Sequence, residues 1–345
     1  MLKFEVQKAA DKLIREVFQV KPGETVVITC DTASDMELVD ATASSVYSAG
    51  AKPMTITTAT PAGVGKAADP EIPVEALTGV LCAADVWIEY NHQWLLYSTP
   101  FEIAMEKNPK LRYMCLVDFD TNLLIRTVGN VNIPTLQTFM KAFTEKNKKA
   151  KTMRVTTPAG TDVSFEIEPR HKLCCDCGDA SVPGMHMMAG QINVVPRFGT
   201  IQGKIVFDGT ITPPFGTVPS QPVVLNIKDS IVTSMEGGPE AAEYWKFLES
   251  FDDEGMFKLA HIAYGFNPGA HLNGNVVEDE RVWGCTEWGI GYVSPIDAPP
   301  AGQDAASHTD GISLNSSVWW DGVQIMDEGK IVDPELAALA DAALK

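Results

Sequence analysis

Near the middle of the chain the spacing of apolar residues changes, and that change constrains the fold more than any single motif. In the first 150 residues, the strand-like runs "ETVVITCD", "KPMTITTA", "ADVWIEYN" and "LRYMCLVD" alternate with the helical stretches "ASDMELVDATASSVYSAG" and "YSTPFEIAMEKNP". Such alternation builds a mostly parallel sheet covered by helices. Residues 136–150, "LQTFMKAFTEKNKKA", read as a helix closing this domain. From Met153 the period becomes two, with turn signals between the runs "RVTTPAGTDVSFEIEP", "QGKIVFDGTI" and "PVVLNIKDSIVTSMEGG". These are hairpins of an antiparallel β domain. One helix, "GPEAAEYWKFLESFD", interrupts them, and "RVWGCTEWGIGY", "HTDGISLNS" and "SVWWDGVQIM" return to strands. The expected class is α/β: an N-terminal α/β domain over residues 1–150 with a mostly parallel sheet, then a β-rich (α+β) domain over 151–345. A length of 345 residues exceeds one ordinary hydrophobic core and fits two domains.

Composition removes several function classes. The net charge is −18 with no basic run to offset it, which argues against nucleic acid and anionic membranes as partners. No stretch reaches the 18 apolar residues of a membrane span. The start, "MLKFEVQKAADKLIREVFQV", has helical spacing with charges interleaved and lacks the features of a secretion signal, so a cytoplasmic protein is expected. No GxGxxG follows the first strand, which leaves dinucleotide binding without its main support. Seven cysteines at irregular spacing fit reduced thiols better than a disulfide framework. "LCCDCGD" invites a metal-cluster reading, but no second cysteine or histidine pair follows at ligand spacing.

The chemistry concentrates in the second half. In "SHTDGISLNSSVWWDG", residues 307–322, His308 and Asp310 sit two apart, so a strand presents both on one face. An imidazole nitrogen and a carboxylate oxygen there are convergent ligands for a divalent metal, with Gly311 letting the backbone pass close by. The plain alternative is a strand with two polar residues turned outward. Five of the six histidines, His171, His186, His261, His271 and His308, lie in this half. His171 and His271 read as surface residues. His261 opens "HIAYGFNPGA" and Glu287 lies in "GCTEWGIGY", glycine-rich segments where a backbone can approach a ligand closely. Trp288, next to Glu287, reads as core or as the wall of a ring pocket. Two histidines and one carboxylate form a facial triad for non-haem Fe(II). Similar ligands with further carboxylates hold zinc or manganese for hydrolysis. Spacing leaves both open.

The run "IVTSMEGGPEAAEYWKFLE…LAHIAYGFNPGAHLNGNVVEDERVWGCTEWGIGY…SHTDGISLNSSVWWDG" resembles the C-terminal half of the aminopeptidase T-like metallopeptidases. Those carry a glutamate where this chain has His261 and a histidine where it has Glu287; a further family glutamate falls at or near Gln191 in "GQINVVP". A histidine at the first position is similar to the 2,5-dihydroxypyridine 5,6-dioxygenase branch of the same superfamily. That resemblance implies Fe(II) held by His261, His308 and Asp310, and an active-site histidine at His186 in "HMMAG". It also implies a histidine in the N-terminal domain, for which His92 in "YNHQWLLYSTP" is the nearest candidate, with Tyr97 and Ser98 as rivals. Glu287 departs from the branch and reads as a fourth metal ligand, a base, or a partner behind the ligands.

The leading expectation is a mononuclear Fe(II) ring-cleaving dioxygenase acting on a small hydroxylated N-heterocycle or aromatic, with O₂ as co-substrate. The runner-up is a metal-dependent hydrolase, an aminopeptidase or cyclic-amide hydrolase using Mn(II) or Zn(II) at the same site. A non-enzymatic binding module is the third reading. The candidate metal ligands are His261, His308, Asp310 and Glu287; the candidate catalytic groups are His186, Glu287 and His92. A homo-oligomer is expected from the resemblance.

Overall fold

Four strands of the first half, Thr25–Asp31, Lys52–Thr58, Val86–Glu89 and Arg112–Cys115, pair in parallel, as their alternation with helices requires. A fifth, Gly184–Met187, joins them parallel to Arg112–Cys115. The computed structural model describes residues 3–345; the first two residues of the N-terminal helical stretch lie outside it. It divides into two units, Met1–Ile133 with Gly178–Ala189, and Pro134–Cys177 with Gly190–Lys345.

In the first unit the sheet order runs from Lys52–Thr58 at one edge through Thr25–Asp31, Val86–Glu89 and Arg112–Cys115 to Gly184–Met187. The central strands are buried on both faces, and Trp87 lies 4.2 Å from Tyr113, centroid to centroid. Asp35 starts the helix Met36–Ser48 by accepting from the Glu37 and Leu38 amides, donors that an uncapped helix leaves unsatisfied.

The second unit holds two antiparallel sheets. The larger has eight strands and contains the hairpins Thr152–Thr156/Asp162–Glu166, Val223–Lys228/Ile231–Glu236 and Ser317–Trp320/Val323–Asp327. The smaller has six: Ile211–Thr212, Gln303–Ser313, Thr286–Val293, Leu259–Gly265, Gln191–Val194 and Leu173–Asp176, in that order. Phe165 of the larger sheet meets Trp288 of the smaller edge-on at 6.2 Å, so the apolar faces of the two sheets share a core. The helix Ile133–Asn147, which periodicity puts at the close of the N-terminal domain, groups with this unit. Its Phe139 stacks on Trp283 at 5.5 Å, and its Phe143 lies edge-on to Tyr264 and Trp320 at 5.0 and 4.8 Å.

All seven cysteines are free thiols. Among the described residues no helix is long and apolar enough to cross a membrane.

Candidate metal centre

Three adjacent strands of the smaller sheet build the site. His261 on Leu259–Gly265 stands opposite Gly289 on Thr286–Val293, and Gly289 in turn stands opposite Asp310 on Gln303–Ser313. His308 stands opposite Gly291. Glu287, Gly289 and Gly291 alternate along the middle strand and share one face, so the two glycines leave the space between the outer strands open. His261 and Asp310 reach toward each other across it. A Cβ at position 289 would lie 2.6 Å from His261 Nε2, so any larger residue there would push the His261 ring out of place.

The resulting cluster is tight. Asp310 Oδ1 is 3.0 Å from His308 Nε2 and 3.5 Å from His261 Nε2, and the two imidazole centroids are 5.0 Å apart. One ligand atom from each of the three residues lies within 4.8 Å of the others. Two ligands at bond lengths of about 2.1 Å, seen from a shared ion at about 90–110°, are about 3.0–3.4 Å apart. The two nitrogen–oxygen separations bracket that range.

The donor set supports the same conclusion. His308 Nδ1 faces the Tyr292 carbonyl at 2.9 Å and must donate to it. In the neutral ring this leaves a lone pair on Nε2, aimed at a carboxylate oxygen that also carries only lone pairs. A proton or a metal cation has to lie between them. A backbone carbonyl on the far nitrogen is also the usual means of fixing a metal-ligating imidazole. The residues fit a divalent metal.

Glu287 is fully buried and places Oε1 2.8 Å from His261 Nε2. Burial opposes a charged His261, but the Glu287 and Asp310 carboxylates outweigh it and hold the ring's pKa well above its ordinary value. Burial pushes the Glu287 carboxyl well up, with Asp310 and Glu280 adding to the shift. Asp310 goes the other way: burial favours its neutral form, and the His308 and His261 rings overcome this to hold it far below the carboxylate range.

The other candidates lie in the first unit. His92 Nδ1 is 2.6 Å from Asp118 Oδ1, and its backbone amide donates to Asp31. His186 sits on the edge strand Gly184–Met187 with Nε2 2.8 Å from the Val182 carbonyl. In each ring one nitrogen donates, which leaves the other as the acceptor when the ring is neutral. Of the rivals to His92, Ser98 is buried and caps the helix Thr99–Lys107, and Tyr97 is exposed.

Of the two readings of Trp288 the structure selects the core one: it alternates with Glu287 along its strand, points to the opposite face and is fully buried against Phe165. One expectation is corrected. Gly311 makes room for the Phe207 ring, since a Cβ there would fall 2.2 Å from it; the ligands do not require it. Spacing gave no sign of Glu280, Arg281 or Asp118. Glu280, its side chain 15% exposed, lies beside the cluster, and desolvation pushes its carboxyl up to about 7, with Asp310 adding to the shift.

Comparison with known proteins completes the description. The sequence model of the NicX family, 2,5-dihydroxypyridine 5,6-dioxygenase, matches residues 10–333. The 2,5-dihydroxypyridine 5,6-dioxygenase of Pseudomonas putida KT2440 is 23% identical over 197 residues, which is 54% of this chain and 56% of that protein. The aligned stretch thus spans little more than half of that relative's length. The solved 2,5-dihydroxypyridine dioxygenase structure from Pseudomonas putida KT2440 superposes with a TM-score of 0.80 at 18% identity, over 98% of this chain and 99% of that one. Wild-type AmpT from Thermus thermophilus superposes with a TM-score of 0.68 at 12% identity, over 96% and 100% of the two chains. At those identities both structures speak to the fold.

Proposed function

Because the chain belongs to the 2,5-dihydroxypyridine 5,6-dioxygenase family and shares its fold with aminopeptidase T, we propose that it is a mononuclear Fe(II) ring-cleaving dioxygenase. Its substrate on this reading is a small hydroxylated N-heterocycle or aromatic resembling 2,5-dihydroxypyridine, with O₂ as the second substrate. The observation that carries the reading is the convergence of His261, His308 and Asp310 within 4.8 Å. A metal-bearing homo-oligomer working in the cytoplasm is part of the same proposal.

His261, His308 and Asp310 would hold the ion, and two imidazoles with one carboxylate leave coordination positions open for substrate and oxygen. Bound Fe(II) supplies the redox chemistry that lets a closed-shell ring react with O₂. The protein's own part is orientation and proton handling. The Tyr292 carbonyl fixes the His308 ring, and Gly289 lets His261 lie flat against the middle strand. Glu287 Oε1 can hold a proton at His261 Nε2 before metal enters, and can receive one from a hydroxyl beside the metal afterwards. His92, oriented by Asp118, and His186, oriented by the Val182 carbonyl, are the proposed general bases, each with one acceptor nitrogen in the neutral ring.

Glu287 also favours a second reading, a metal-dependent hydrolase in which the ion activates water and Glu287 is the base. One experiment separates the two. Protein reconstituted anaerobically with Fe(II) is mixed with 2,5-dihydroxypyridine and related rings while O₂ uptake is followed. Zinc- and manganese-loaded protein is offered chromogenic aminopeptidase substrates in parallel. The proposal expects stoichiometric O₂ consumption that disappears in His308→Ala. Metal-dependent amide cleavage with no uptake on any ring would overturn it in favour of the hydrolase.

A further inference from the structure

Beyond Glu287 lies a guanidinium with no solvent exposure. Arg281 Nη2 donates to Gln191 Oε1 at 3.0 Å, while Nη1 donates to the Val277 carbonyl at 2.7 Å and to Glu280 Oε2 at 3.2 Å. Asp176 Oδ2 is 3.7 Å from Nη2. Arginine has donors and no acceptor, so the Gln191 amide must turn its oxygen toward it. That turns the amide nitrogen toward two carboxylates, Glu280 Oε2 at 2.9 Å and Glu287 Oε2 at 3.4 Å. With Oε2 held from behind, Oε1 of Glu287 faces His261 Nε2.

We propose that Arg281 and Gln191 form a fixed cationic clamp that positions Glu287 beside the His261/His308/Asp310 group and thereby sets its affinity for the metal ion. The inference rests on the metal-centre reading above. Asp310, Glu287 and Glu280 crowd three carboxylates together, Glu287 fully buried and the other two side chains only 14% and 15% exposed, an arrangement that repels itself unless cations separate it. A divalent ion held by the ligand group neutralises one side. The guanidinium, always charged, neutralises the other. Glu287 lies between these two charges, and the Gln191 amide keeps its carboxylate from swinging wholly to the arginine. A glutamate at 191 would face Glu287 acceptor to acceptor and could not make this contact. Gln191 and Arg281 are therefore positioning residues that act through Glu287.

The test is calorimetric titration of the metal-free full chain with Mn(II), with thermal melting as the check on folding. Wild-type protein should bind one ion per chain. Gln191→Met should bind it about 10-fold more weakly while still melting in one cooperative transition, in the range seen for groups that orient metal ligands. Glu287→Gln should lose at least as much, and the double variant no more than Glu287→Gln alone, because the two residues act in series. Arg281→Met strips the buried carboxylates of their cation and endangers folding, so the other variants carry the test. Wild-type affinity in Gln191→Met, or losses that add in the double variant, would overturn the clamp while leaving the metal centre in place. No binding by wild type, indistinguishable from His308→Ala, would overturn the metal centre and the clamp together.

Discussion

Both units bury carboxylates, but they satisfy them differently. In the first unit Asp31, at the end of a parallel strand, accepts from the Ala33, His92 and Gln93 amides and from the Ser34 and Thr60 hydroxyls. Glu89, fully buried at the end of the neighbouring strand in the same sheet, accepts from the Leu95 amide and the Tyr113 hydroxyl. These are neutral donors of fixed geometry, and they complete the acid within the fold. In the second unit the groups that meet Asp310 are two imidazoles, and one of them is already committed to donating elsewhere. That acid is completed only by something that arrives, a proton or a metal ion. The contrast separates a carboxylate satisfied within the fold from one, its side chain 14% exposed, that faces two imidazoles instead.

Substitutions sharpen the contrast in order of expected effect. Asp310→Asn keeps the shape and removes the charge, and should lower metal-dependent turnover about 1000-fold with little change in melting temperature, read by O₂ uptake beside thermal melting. Asp31→Ala should do the reverse, costing about 3 kcal/mol of stability in denaturant unfolding because several buried donors lose their acceptor. Gly289→Ala drives a methyl group into the His261 ring and should weaken Mn(II) binding about 10- to 100-fold, read by calorimetry, with the sheet intact. Glu89→Gln gives the smallest and most conditional effect. Burial pushes Glu89 up to about 7 from 4.5, against its hydrogen bonds to Tyr113 and Leu95. The raised value means the fold favours the protonated acid, so this stabilisation is full below pH 4.5 and is lost as pH rises through 7. Glu89→Gln should flatten that slope and leave the variant about 1–3 kcal/mol more stable than wild type above pH 7, read by unfolding across pH.

The sequence made the strands and the common facing of His308 and Asp310 legible because both depend on local spacing. Alternation identified the four N-terminal parallel strands, and the two-residue step from His308 to Asp310 put both on one face. The strand Gly184–Met187 was not legible: four residues, two of them methionine, carry no period of their own, and their pairing partner lies some 70 residues earlier in the chain. Arg281 and Glu280 were hidden for another reason. In "VVEDERVWGC" they look like a charged, solvated turn, and only tertiary packing shows that Arg281 is fully buried. Asp118 reads as an ordinary residue after a strand until folding brings it to His92. Gly289 is the instructive middle case. Its place in "EWGIGY" marked a close backbone approach, but what approaches it, the His261 ring, depends on the register of three strands.

The most direct test of the central claim is X-ray absorption at the iron edge on protein loaded anaerobically with one equivalent of Fe(II). The account predicts nitrogen and oxygen neighbours near 2.1 Å with the outer-shell scattering of two imidazoles, falling to one in His308→Ala. Sulfur neighbours, or a spectrum that His308→Ala leaves unchanged, would contradict it.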